Sequence, residues 1–218
     1  MLWVCLPQGV DMGNLHFYRP GQGHGLAHDP FKAILAPRPI GWIGSVSADG
    51  VRNLAPYSFF GAFCDTPPII GFSSSGWKDS VRNVQARGVF TWNLASRAQA
   101  EAMNLSSAPF APEVDEFERA GLVALPGKVV DAPFVEGAPA AFECRLTQLL
   151  QLTDADGHAL EQWLVLGEVV GVHIDRRWLV DGVYDTAAAG PILRAGGLDR
   201  YAQITPEAMF EMARPTGV

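Results

Sequence analysis

Between Arg38 and Asn83 the chain passes through four short β-rich runs separated by tight-turn signals, a punctuation that favours antiparallel strands over a helical layout. Ile40–Ser47 is apolar and β-branched, and Ala48-Asp49-Gly50 closes it into a hairpin. Arg52–Pro56 leads into Ser58–Cys64, and Pro67-Pro68 breaks the pattern before Ile69–Ser73. Asp79–Arg87 then reads as a helix, with Asp79 or Ser80 as its cap and Gly88 at its end. Val89–Leu94 is one more short strand.

The same vocabulary continues downstream. Arg97–Leu105 is helical by propensity, and Asp115–Ala120 is a short helix closed by Gly121. Ala140–Leu152 and Leu160–Ile174 are long strands joined through Thr153–Gly157 into a large hairpin, with Gly167 and Gly171 as bulge positions. Residues 13–30 form an irregular arm with one helical turn near Asp29-Pro30-Phe31. Strands do not alternate with helices, and neither a dinucleotide-binding glycine pattern nor a Walker-type phosphate loop is present, so a Rossmann sheet is disfavoured. The pattern predicts a mainly β fold, an antiparallel β-barrel with a few short helices.

Composition narrows the function classes. At 218 residues, with 48% apolar and 18% charged side chains, the chain buries a core without help from disulfides or metals. A net charge of −7 and singly scattered Lys and Arg exclude a nucleic-acid face. The cysteines, at 5, 64 and 144, are odd in number and far apart, which argues against a disulfide framework or a zinc site. Cys64 and Cys144 sit in apolar runs and read as buried, inert thiols, and a reducing cytoplasm fits. Leu2–Leu6 is apolar but far too short to cross a membrane, and no membrane span follows it. Residues 1–15 read as a disordered extension, with Met12 an alternative start, and 16–218 as a single domain.

Other chemistry finds little support. His24 and His28 are four apart, but the glycines around them and Pro30 speak against a metal-binding helix. Asp154-Ala-Asp156-Gly157 lacks the spacing and closing Glu of a calcium loop and reads as a hairpin turn. No nucleophile elbow or paired Cys/His nucleophile is visible, so no catalytic side chain is assigned.

Two segments suit a phosphorylated, planar cofactor. Ser73, Ser74 and Ser75 offer hydroxyl and backbone donors, Lys78 offers charge, and Asp79-Ser80 opens a helix whose first N–H groups are unpaired. Asn53, Leu54, Ala55, Pro56, Tyr57 and Ser58 form a strand edge that can line a ring, with Tyr57 flat beside it. The plainer alternatives are a serine-rich loop with a surface lysine and an ordinary edge strand. His173 reads as a core or interface histidine, or as one facing a bound nicotinamide.

These segments resemble one family jointly. His16–Ile43, Asn53-Leu-Ala-Pro-Tyr-Ser-Phe-Phe, Lys78-Asp-Ser-Val-Arg-Asn83, Asp115-Glu-Phe, Gly167-Glu-Val-Val-Gly-Val-His-Ile and Arg194-Ala-Gly-Gly197 with Tyr201 are similar to motifs of the flavin reductase-like family, in its flavoredoxin-like branch. The sequence departs from that pattern at Gly61, at Trp77 and by one extra residue before Tyr201. The resemblance implies a split antiparallel β-barrel, a homodimer, bound FMN and hydride exchange between NAD(P)H and flavin. It implies Ser58, Ser73, Ser74, Ser75, Lys78, Asp79, Ser80 and Asn83 on the ribityl phosphate, and Asn53, Leu54, Ala55 and Pro56 along the ring. It also implies a monooxygenase or electron-transfer partner. The alternatives are an FMN electron carrier reduced by a partner protein and a non-redox ligand-binding barrel.

Overall fold

The structure, a computed structural model, describes residues 13–216. Most of the expected N-terminal extension, including Met12, lies outside the described residues. The main body is a seven-stranded antiparallel sheet. Its strands in chain order are β1 (Gly41–Val46), β2 (Arg52–Tyr57), β3 (Phe60–Asp65), β4 (Pro68–Ser75), β5 (Val89–Asn93), β6 (Ala140–Thr153) and β7 (Ala159–Ile174). They are ordered β2-β1-β5-β6-β7-β4-β3. Helices α1 (Asp79–Arg87), α2 (Ala100–Leu105) and α3 (Glu116–Arg119) are inserted between them. The mainly β, antiparallel architecture is the expected one. Short additional strands include Arg38–Pro39, which pairs with Ile192–Arg194 and so ties the C-terminal segment to the start of the sheet.

β1, next to the edge strand β2, is buried on both faces, because its alternating side chains enter two different cores. Ile43 joins Tyr57, Ile70, Phe72, Val81, Val84 and Phe90. Trp42 joins Leu54, Met103, Phe117, Val135 and Ile192, and its indole N–H donates to Ser106 Oγ at 2.9 Å. Gly44 carries no side chain for a reason: a Cβ there would lie 2.5 Å from the Pro133 carbonyl oxygen and 2.4 Å from Thr91 Oγ1. α1 covers the first core with Val81 and Val84, and Gly88, at φ +69°, ends it in the left-handed region. Its N-terminus differs from expectation. Lys78 is the N-cap residue, in extended conformation, and no side chain caps the helix. Asp79 instead pairs with Arg82 at 2.5 Å, and the Ser80 hydroxyl turns toward Asn53.

The β6–β7 hairpin forms as expected, with register shifts beside Gly167 and Gly171. Its connection is a hairpin turn: Asp154 Oδ1 accepts the N–H groups of Asp156 and His158. Cys144 is buried, and burial followed by the Glu143 charge pushes its thiol well up, consistent with an inert core residue. Cys64, in contrast, is exposed rather than buried. It lies on the edge strand β3, whose last four residues are all exposed.

A buried carboxylate ties the 127–130 loop to this hairpin. Glu143 on β6 is 1% exposed and accepts the backbone N–H groups of Lys128, Val129 and Val130 at 2.7–2.9 Å. His173 on β7 approaches the same carboxylate, Nε2 to Oε1 at 2.6 Å, with its ring stacked on Phe134 at 4.2 Å. His173 is half-buried, with this carboxylate as its partner. Gly127 makes the wrap possible, since a Cβ there would sit 2.8 Å from Glu143 Oε2. Burial opposes the charge, but the N–H donors and His173 outweigh it and hold the carboxyl at about 2. A carboxyl depressed in the folded state contributes stability that is present above its ordinary value and lost as pH falls through the folded one. The contribution is about 3 kcal/mol and disappears between about pH 5 and pH 2. Urea titrations of wild type and Glu143→Gln should show the variant less stable at neutral pH, with the gap closing in that acid window.

Candidate functional site

The end of β4, the strand β2 and the start of α1 meet at a cavity of about 560 Å³, the size of a small-molecule site. Ten of the residues singled out from sequence line it: Asn53, Ala55, Pro56, Tyr57, Ser58, Ser73, Ser75, Lys78, Asp79 and Ser80. Gln162 from β7, Glu116 from α3, Arg82 from α1, Lys32, Phe59 and residues of the Ser106–Pro112 segment also line it. Lys78 enters no ion pair among the described residues. With no side chain capping α1, its first-turn N–H groups also remain for solvent or a ligand.

Three of the expected residues do not line this cavity. Leu54 is fully buried in the second core, because alternation along β2 turns it opposite to Asn53 and Ala55. Ser74 is likewise fully buried between Ser73 and Ser75, and its hydroxyl donates to the Gly76 carbonyl at 3.0 Å. Asn83 lies one turn into α1, buried, donating from Nδ2 to Ser45 Oγ at 3.2 Å. Tyr57 reaches the cavity wall, but it does not stand free beside it. Its ring packs on Phe72 at 4.6 Å, and burial pushes its phenol up while bonds to Ser80 and Ser74 oppose that.

The cavity floor is a connected polar chain. With its amide oriented to satisfy its neighbours, Asn53 donates to Glu116 Oε2 at 3.2 Å and accepts from Leu54 N–H and Ser80 Oγ. Leu54 N–H also donates to Glu116 Oε2 at 2.5 Å. Glu116 is 8% exposed, and burial pushes its carboxyl up to about 7; the Leu54 bond opposes this, and Asp79 and Asp115 add to it. On the other wall, Gln162 Nε2 donates to Ser73 Oγ at 2.6 Å. Buried Arg38 donates from Nε to the Ser58 carbonyl at 3.2 Å and also to the Lys32 carbonyl. Sequence reasoning missed Gln162 and Arg38, which carry no local signal, and gave Glu116 no role although its motif was noticed.

Further cavities lie beside this one and elsewhere on the molecule. An adjoining space of about 480 Å³ shares Pro56, Tyr57, Ser58 and Ser107 and is closed by Arg194, Leu198 and Tyr201, with the Arg194 guanidinium 4.8 Å from the Tyr201 ring centre. A larger one of about 650 Å³, near Val46 and Pro133, contains none of the expected site residues. Two of its cations are already paired, Arg52 with Asp115 and Arg87 with Asp131. The smaller, donor-rich cavity is therefore the better candidate, because unpaired donors rather than volume recognise an anionic ligand.

An antiparallel β fold with a phosphate-suited cavity at a helix start is a ligand-holding scaffold. The chain belongs to the flavin reductase like domain family, which it matches over residues 35–187. It is similar to nitrilotriacetate monooxygenase component B from Bacillus cereus, with 28% identity, TM-score 0.81, and 91% of this chain and 98% of that one covered. It is similar to the 2-nitrobenzoate 2-nitroreductase NbaA of Pseudomonas fluorescens at 26% identity and TM-score 0.79, covering 94% and 98% of the two chains. Flavoredoxin of Desulfovibrio vulgaris gives 27% identity and TM-score 0.70 over 82% and 91%. The fold is the split barrel of flavin reductases, and family membership supports a flavin-related oxidoreductase role.

Removing the Asn53 amide strips partners from Ser80, Leu54 and Glu116 at once. Asn53→Ala should cost about 1–3 kcal/mol of stability, measurable by thermal or urea unfolding.

Proposed function

We propose that the chain is an FMN-binding oxidoreductase of the NAD(P)H:flavin type. The observation that carries this is the meeting of Ser58, Ser73, Ser75, Lys78 and Ser80 in one cavity at the uncapped start of α1. An FMN phosphate needs several donors and a nearby positive charge, and this wall offers hydroxyls, Lys78 and a helix N-terminus. Asn53, Ala55 and Pro56 would lie along the ring, with Gln162 positioning the Ser73 hydroxyl. When bound, FMN supplies the atom that exchanges a hydride with a reduced nicotinamide nucleotide. The protein's task is to orient the two rings and exclude water, so no side-chain acid or base is required for that transfer.

Family membership supports a homodimer, which would cover some of the exposed apolar side chains of the described chain, such as Phe63 and Val172. Similarity to a monooxygenase component B supports a partner enzyme that consumes the reduced flavin. Similarity to a flavoredoxin favours a second reading, an FMN electron carrier reduced by a partner protein.

Purified protein should show a flavin absorption band, as isolated or after FMN addition; a chain that neither carries nor binds FMN would end both readings. Stopped-flow mixing with NADH and with NADPH then separates them, because a carrier shows no direct bleaching of the flavin band. Lys78→Ala should weaken FMN by about 1.5–3 kcal/mol, the scale of a charge-assisted hydrogen bond, in a fluorescence titration.

A further inference from the structure

Glu116 is a carboxylate built into the wall of the anion-suited cavity and held there without a cation. Its Oε2 accepts from Leu54 N–H and from the Asn53 amide, and Asn53 in turn contacts the Ser80 hydroxyl in the first turn of α1. One hydrogen-bonded chain therefore joins this carboxyl to the place where a phosphate would sit. No Lys or Arg pairs with it among the described residues. The charged neighbours are accounted for elsewhere: Asp79 pairs with Arg82, and Asp115, beside Glu116, pairs with Arg52. Arg119, on the same helix, lies over the Phe110 ring, and Lys32, Lys78 and the Asp79-paired Arg82 line the cavity. Tyr57, the remaining titratable neighbour, is pushed up, away from neutral pH. No histidine, the side chain that ordinarily titrates near neutrality, lines this cavity.

We infer that Glu116 is the charge-discriminating residue of this cavity: with its carboxyl protonated the site accepts a dianionic phosphate, and with it ionised the two anions oppose each other. Binding of the phosphorylated ligand is then coupled to uptake of one proton from solvent at this side chain. The inference rests on the FMN reading above and adds to it a residue that decides between phosphorylated and unphosphorylated flavin. The direction follows from linkage. Burial already places the free carboxyl at about 7, and a bound dianion raises it further. Affinity is therefore highest where Glu116 is protonated and falls as pH rises through neutrality.

The test is a fluorescence titration of the full chain with FMN and with riboflavin at about pH 7 and about pH 9, where the free phosphate stays close to dianionic. Wild-type affinity for FMN should fall about five- to tenfold across that range, while riboflavin affinity changes little. Glu116→Gln, which keeps an acceptor for Leu54 N–H, should bind FMN with no such fall. Calorimetry of the wild type in two buffers of different ionisation heat should report net proton uptake on FMN binding, and this decides the matter if the variant does not fold. FMN binding without proton uptake, or with the same pH dependence in Glu116→Gln, overturns this inference alone. Absence of FMN binding at either pH overturns the FMN reading and this inference with it.

Discussion

The strand Gly41–Val46 has core on both of its faces, and the position of the cavity follows from that. Ile43 enters one apolar cluster and Trp42 the other. The first cluster receives Val81 and Val84 and so seats α1; the second receives Phe117 and so seats α3. Because β2 pairs with β1 residue for residue from Gly41–Tyr57 to Val46–Arg52, the two helices are brought to opposite sides of one strand edge. Their meeting point is Asn53, which contacts Ser80 of α1 and Glu116 of α3. Shifting β2 by one residue would turn Leu54 outward and Asn53 into the core, exchanging polar floor for apolar surface.

The molecule contains two buried carboxylates with opposite electrostatic outcomes. Glu143 meets three backbone N–H groups and His173, and its charge is stabilised strongly enough to overcome burial. Glu116 meets one backbone N–H and one amide and has two acidic neighbours, so burial prevails. Both are almost inaccessible to solvent, and the larger donor set of Glu143 and the acidic neighbours of Glu116 push them in opposite directions. One consequently serves as a structural clamp on the 127–130 loop, while the other leaves a titratable group in the cavity wall.

Much of this was legible in the chain. The turns at Ala48–Gly50 and 153–157, the stop at Gly88 and the bulges at Gly167 and Gly171 all came from local chemistry, because turns and left-handed positions accept few residue types. The donor-rich stretch Ser73–Ser80 was visible as composition. What was not visible was direction. Ser74 looks like Ser73 and Ser75 in a sequence, yet strand alternation buries it. Cys64 sits in an apolar run, yet it lies near the end of an edge strand and is exposed. Ser80 and Asp79 have the chemistry of caps, but the helix begins one residue too early for Asp79 to cap it and two too early for Ser80.

The sequence by itself determined the residue types, much of the strand and helix succession and the segment that carries the donor-rich surface, since these depend on neighbours a few positions apart. Only the tertiary structure decided which side chains share the cavity. Glu116 meets Leu54 across 62 residues, and Gln162 meets Ser73 across 89. Such contacts depend on register between strands and on how helices seat against two cores, and no local periodicity encodes them. For the same reason the charge state of Glu116 belongs to the fold: it is set by burial and by which donors arrive, and both exist only once the chain is packed.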